Sequence, residues 1–361
     1  MAYTTINKPN QYFDTQLWTG NNGNGRTFTG LNFQPDYVWV KCYNSSNYYQ
    51  MMVDRVRGGN YFLATAITAA EDNKSHGEIT SWNSDGTTWI DGTNATYPRL
   101  YYNDGVGSAA GGSEYVAWQF KAGNSAGSSN TAGSITSTVS ANTTAGFSIV
   151  SYTGNGTSGA SIGHGLGSTP AMIICKSRSD AEEWATYHQS LTYTKYIVLN
   201  STAAAVSTAR FYQAPTSSLF YVDNGYGVNK SSATYIAYCF AEKKGYSKFG
   251  SYTGNGSTDG TFVYTGFKPA FVMIKLTSSA GEGWEMIDNK RSSFNVANKF
   301  LRANSATDQT TNTDRQFDML SNGIKMRGSH GSTNGSGSTY IYMAFAENPF
   351  VSSAQIPTTA R

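Results

Sequence analysis

Two short glycine patterns carry the most recognisable chemistry in this chain. Residues 154–159, GNGTSG, have the spacing of a dinucleotide-binding turn, where close backbone approach lets amide groups hold a pyrophosphate. That chemistry needs a helix to follow and an acidic residue about 20 positions on to take a ribose hydroxyl. The sequence supplies neither, so a plain turn is expected. Residues 159–163, GASIG, with His164 next, match the spacing of a hydrolase nucleophile. A nucleophile elbow requires a strand, a strained turn and a helix, whereas GLGSTP follows here and reads as loop.

The remaining reactive side chains are dispersed. His76, His164, His188 and His330 have no ligand spacing, and neither HExxH nor an EF-hand pattern occurs, so no metal is expected. Asp and Glu together number only 23, and the adjacent Glu182 and Glu183 would face opposite ways in a strand. A glycosidase pair would have to assemble across loops. Cys42, Cys175 and Cys239 lie in or beside apolar runs and read as buried, reduced thiols rather than a disulfide framework. The expectation is a protein with no catalytic residues and no cofactor.

Aromatic residues near Gly, Asn and Asp are the larger surplus: Trp89, Tyr97, Tyr101, Tyr102, Tyr193, Tyr221 and Tyr226. Loop aromatics flanked by amides suit a sugar-binding surface, and Trp89, Tyr101, Tyr102 and Tyr226 are the candidate glycan contacts. The competing reading is that such rings cap the ends of a sandwich.

The elements that would position these residues recur three times. SYTGNGSTDGTFVYTGFKPAFVMIK (251–275) is echoed by SYTGNGTSGASIGHGLGSTPAMIICK (151–176) and LWTGNNGNGRTFTGLNFQPDYVWVK (17–41). Each copy runs from an aromatic-Thr-Gly-Asn turn to Pro35, Pro170 or Pro269, then through a short apolar run to Lys41, Lys176 or Lys275. Such a run predicts a strand covered on both faces, with the Lys ending it by reaching solvent. A closing motif, YVAWQF, YIAYCF or YIYMAF, ends each copy. With period two it places Val116, Trp118, Phe120, Ile236, Tyr238, Phe240, Ile341, Met343 and Phe345 on core faces and leaves a thinly packed or wet face that starts with Tyr. Between the motifs, Asp54, His188 and Asp288 correspond, as do Gln50, Trp184 and Trp284. The first set predicts local ion pairs with following cations, and the repeated Trp predicts a filler for its own sandwich.

The fold expected is all-β, with three tandem antiparallel β-sandwich (jelly-roll-like) repeat units. The boundaries are an arm at 1–11, repeats at 12–120, 147–246 and 247–350, a Gly/Ser/Thr-rich linker at 121–146 and a tail at 351–361. As a coil the linker would span about 25–30 Å and let the first unit stand apart, although Ile135 and Val139 leave open a docked strand. Charged residues are 14% of 361, and a net charge of +3 with mixed signs gives no stripe for nucleic acid. No signal peptide or apolar stretch of membrane-spanning length is visible, so a chain made in the cytoplasm, without membrane insertion, is expected.

MAYTTINKPNQYF, GSITSTVSANTTAGFSIVSYTGNG, IGHGLGSTP, YIAYCFAEKKGYSKFGSYTGNG and TYIYMAFAENPF together resemble a repeat family of bacteriophage virion proteins, common in phages of marine and cyanobacterial hosts and described as tail-fibre-like. The resemblance spans nearly the whole chain. It implies a non-enzymatic virion surface protein, a tail fibre or host-attachment protein binding host surface polysaccharide, with other virion proteins as partners and a homotrimer as the favoured assembly. The alternatives are a capsid decoration or head-fibre protein without a receptor, and a polysaccharide depolymerase.

Overall fold

Short runs of β-branched and aromatic residues bounded by Gly and Asn turns form antiparallel strands throughout the computed structural model, which describes residues 3–46, 48–105, 112–208 and 210–358. Among the described residues the only α-helical element is the single turn Tyr226–Asn229. The fold is all-β. Three large sheets share one strand order: an opening strand, the closing strand, the post-proline strand, then two further hairpin strands. The opening strands are Phe13–Thr19, Phe147–Thr153 and Ser247–Thr253, and the post-proline strands are Tyr37–Cys42, Met172–Ser177 and Phe267–Leu276. The closing strands Glu114–Phe120, Thr234–Phe240 and Thr339–Pro349 lie between them. Pro269 lies inside its strand at a register shift, the place where a missing ladder N–H is tolerated.

A smaller sheet of two or three strands covers the outer face of each large one, making three sandwiches. This overturns the expectation of a wet Tyr face. Tyr115, Tyr235 and Tyr340 are buried under the small sheets, together with the residues two positions on, Ala117, Ala237 and Tyr342.

The other faces of the three large sheets meet in one common core. Phe120, Phe240 and Phe345, the last inward residues of the closing motifs, form a triangle with ring centroids 5.7, 4.9 and 6.0 Å apart. Around them pack Phe13, Phe147, Phe249, Phe271, Trp118, Tyr238 and Met343. Burying each such side chain contributes about 1.5–3 kcal/mol before entropy.

The first unit is therefore not tethered at a distance. Residues 128–130 and 137–142 of the expected linker are strands that extend the second unit's large sheet: 137–142 pair with its opening strand and 128–130 pair with 137–139. Ile135 bridges Ile162, and both Ile135 and Val139 are buried. The alternation of these apolar residues with Ser and Thr prevails over the flexibility that the composition suggests.

Matching side chains tie each unit to the next in cyclic order. Trp184 Nε1 donates to the Ala64 carbonyl at 3.0 Å, Trp284 Nε1 to that of Val198 at 3.0 Å, and Gln50 Nε2 to that of Arg302 at 2.6 Å. The repeated Trp fills the common core rather than its own sandwich. Lys41, Lys176 and Lys275 are buried too, against the expectation that they reach solvent. Each ammonium gathers backbone carbonyls, one of them from a neighbouring unit: Ala306 at 2.7 Å, Thr68 at 3.1 Å and Thr202 at 3.5 Å. Burial draws each lysine down from its ordinary value to about 8. At neutral pH they remain charged, and these carbonyls take the charge.

Asp54, His188 and Asp288 complete the cycle. Arg57 Nε meets Asp54 Oδ2 at 2.5 Å and Arg291 Nε meets Asp288 Oδ2 at 2.7 Å, so the local ion pairs form, fully buried. Each Asp also reaches across to the next unit, accepting from Tyr238 Oη at 2.9 Å and Trp118 Nε1 at 3.2 Å. His188 instead donates from Nε2 to the Tyr342 carbonyl at 3.2 Å.

Candidate functional site

The opening strands all run toward one end of the molecule, where the Thr-Gly-Asn turns are clasped by buried asparagines. The backbone N–H groups of Asn21, Asn155 and Asn255 donate to Oδ1 of Asn103, Asn229 and Asn334 at 3.1, 2.9 and 3.1 Å. The clasping amides donate back to Oδ1 of the turn asparagines at 2.8, 3.3 and 3.0 Å. Gly156 and Gly256 have φ of 71° and 67°, the left-handed conformation that Gly adopts freely. The amides a dinucleotide would need are thus spent within the protein. The sequence reading missed the clasping asparagines; their only signal is a place six residues before Tyr235 and Tyr340, which the longer loop before Tyr115 interrupts.

Ser161 lies in the strand Ala160–Gly163, where its hydroxyl accepts the Ser134 N–H at 2.9 Å. Buried His164 bonds the Thr216 carbonyl at 3.2 Å and accepts the Leu166 N–H at 3.2 Å. Both groups serve the local backbone, and no hydrogen bond joins them. The three thiols are buried and unpaired, with burial pushing Cys42 up to about 11 and Cys175 up to about 12. Among the described residues no group of three His, Cys, Asp or Glu is placed to hold a metal ion.

The four candidate glycan contacts separate sharply. Trp89 and Tyr102 are buried and stack on each other with ring centroids 5.4 Å apart, inside the first sandwich. They offer no face to a ligand: size and apolarity draw them into the gap between the two sheets. Tyr101 is half-buried, with its ring 4.8 Å from Phe62 and its hydroxyl on Asp72 at 3.1 Å. Tyr226 is exposed by 63%, and Lys230 Nζ stands 5.5 Å from its ring centre. Tyr212, not singled out in the sequence, is 52% exposed and lies against Gly159, where a Cβ would come within 3.2 Å of the ring. Between the two in sequence, Asp223 accepts from Ser158 Oγ at 2.6 Å and from the Asn224 N–H at 2.8 Å. The Tyr226 carbonyl accepts the Tyr235 hydroxyl at 2.6 Å, so the platform under Tyr226 is fixed to a core strand.

At the opposite end a polar cleft of about 500 Å³ lies between the arm and the third unit. Amide side chains dominate its lining: Asn7, Asn10, Gln11, Asn32, Asn289 and Asn348.

Three β-sandwiches closed around a common core, with clasped turns at one end, define the class of protein. Over residues 8–349 the chain matches the family described as a domain of unknown function, DUF7483, and it belongs to that family. The match runs through all three sandwiches. No curated protein matches the chain.

Proposed function

We propose that this chain is a non-enzymatic surface protein of a bacteriophage particle, a tail fibre or host-attachment protein that holds host surface glycan at the turn end of its second sandwich. Tyr226 is the observation that carries the reading: an exposed ring on a backbone locked to the core, with exposed Tyr212 and the Asp223 carboxylate in the same loop region. Aromatic rings of this kind offer broad contact area at low entropic cost, with polar groups beside them for hydroxyls. Buried ties between the units keep such a surface rigid, which lowers the cost of binding. The virion-protein resemblance of the sequence supports the same reading.

A homotrimer, which that resemblance implies, would have to use outer surfaces, because the inward faces of the three large sheets are spent on the common core. A capsid decoration role draws support from the same arrangement, since three similar sheets around one axis suit a threefold position on a lattice. The deciding measurement is binding of host envelope polysaccharide to the purified protein. The attachment reading expects Tyr226→Ala combined with Tyr212→Ala to weaken binding at least tenfold, about 1.4 kcal/mol, with no change in melting temperature. Wild-type protein that ignores the polysaccharide and localises to the capsid lattice would leave the decoration role.

A further inference from the structure

The second and third units share a strand order in their large sheets and a matching pairing in their small ones, so side chains that differ between them are not demanded by the fold. The N–H groups of Gly159 and Gly260 donate to the carbonyls of Val222 and Met326 at 2.9 and 3.1 Å. Those of Asp223 and Arg327 donate to the carbonyls of Arg210 and Gln316 at 3.0 and 2.8 Å. Asp223 thus holds the place of Arg327, and Tyr212, two residues after Arg210, holds the place of Asp318. The hydroxyls of Tyr235 and Tyr340 donate to the carbonyls of Tyr226 and Gly331, which puts the Tyr226 ring where the third unit has no side chain. In the third unit Arg327 Nε and Asp318 Oδ2 close on each other at 2.6 Å. The second unit presents two exposed rings and a carboxylate at these positions instead.

We propose, resting on the glycan reading of this site, that it takes neutral or amine-bearing sugar and rejects acidic sugar, and that Asp223 sets the choice. The three side chains are joined by short links. The Tyr212 ring lies over Gly159, and Ser158, the residue before it, donates its hydroxyl to Asp223. Gly225, between Asp223 and Tyr226, packs on the Arg210 side chain, where a Cβ would come within 3.1 Å of Nη1. The Ser158 hydroxyl and the Asn224 N–H both go to Asp223 Oδ1 and fix the carboxylate, while Oδ2 makes no hydrogen bond or ion pair among the described residues. The cations of this surface are already matched: Arg210 Nε meets Glu183 at 3.1 Å and Lys230 Nζ meets Asp180 at 3.3 Å. An oxygen with open lone pairs accepts sugar hydroxyls, and accepts an ammonium more strongly because the hydrogen bond is charge-assisted. A uronate or sulfate in the same place meets an unpaired like charge and no free cation to offset it.

The probe is purified host envelope polysaccharide in three forms: native, carboxyl-reduced, and with its primary hydroxyls oxidised to carboxylates. The full chain is expected to bind the oxidised form about fivefold more weakly than the reduced form. Asp223→Asn, whose Oδ1 keeps both hydrogen bonds, should recover about half or more of that loss without shifting the melting temperature. Tyr226→Ala should weaken binding of all three forms alike. Salt provides a second measurement should Asp223→Asn fail to fold: raising NaCl from about 50 to 500 mM screens exposed charges and should narrow the gap for the wild type. Oxidised polysaccharide bound as tightly as reduced, or a gap that neither Asp223→Asn nor salt narrows, would overturn this assignment and leave glycan binding standing. A chain that binds none of the three forms would remove the glycan reading itself, and this assignment with it.

Discussion

The interface between the first and second units and that between the second and third share a geometry and differ in chemistry. At the first, the Tyr238 hydroxyl donates to Asp54, whose other partner is buried Arg57. At the second, Met343 stands where Tyr238 stands and offers neither N–H nor O–H, and His188 replaces the Asp. The imidazole accepts the Ser190 N–H at Nδ1 and donates from Nε2 to a backbone carbonyl, both at 3.2 Å. The third interface, with Trp118 donating to Asp288, follows the first. A buried carboxylate stands only opposite a donor; where the partner strand has none, a neutral ring that satisfies itself takes the place.

The largest effect lies where the interfaces do not differ. Phe345→Asp puts an unpaired charge into the three-Phe triangle and should cost more than about 5 kcal/mol, since truncation of a buried Phe alone costs about 3–5. Circular dichroism and urea melts should show all three sandwiches lost together; survival of two native sandwiches would break the idea of one common core. Next comes Asp54→Ala, which leaves buried Arg57 only the more distant Glu71 carboxylate at 3.6 Å and should cost about 3 kcal/mol. His188→Gln, which keeps a donor for the Tyr342 carbonyl, should cost less than about 1 kcal/mol at neutral pH. Equal losses in the two variants would erase the contrast between the interfaces.

Acid sharpens the same comparison by a smaller amount. Burial holds His188 at about 4, against 6.5 for the free side chain. Above pH 6.5 the ring is neutral in both folded and unfolded chains, and its contribution is whole. Between 6.5 and 4 the unfolded chain takes up the proton and the folded chain does not, so stability falls with pH by up to about 3 kcal/mol. Urea midpoints measured from pH 7 to 4 should fall more steeply for the wild type than for His188→Gln. Parallel slopes would remove the histidine from the acid response.

Much of the strand plan was legible. The apolar runs after Pro35, Pro170 and Pro269 are buried on both faces, and the inward residues of the closing motifs lie where period two places them. Ion pairs at Asp54 and Asp288 were legible because their cations stand three residues on. The candidate surface was less so. Trp89, Tyr102 and Tyr226 sit in similar Gly- and Asn-rich surroundings in sequence, yet only Tyr226 is exposed, because exposure depends on which layer a loop folds under. Lys41, Lys176 and Lys275 misled for a related reason: a long cation at the end of an apolar run looks destined for water until a neighbouring unit brings carbonyls to it.

Turns, strand periods and recurring motifs were determined by the amino-acid order alone, because Gly and Asn conformations and two-residue alternation act over a few bonds. Only the tertiary structure decided that the inward faces of three sheets share one core and that the expected linker is a pair of docked strands. Those outcomes depend on which surfaces meet across more than a hundred residues, and burial free energy is blind to sequence distance.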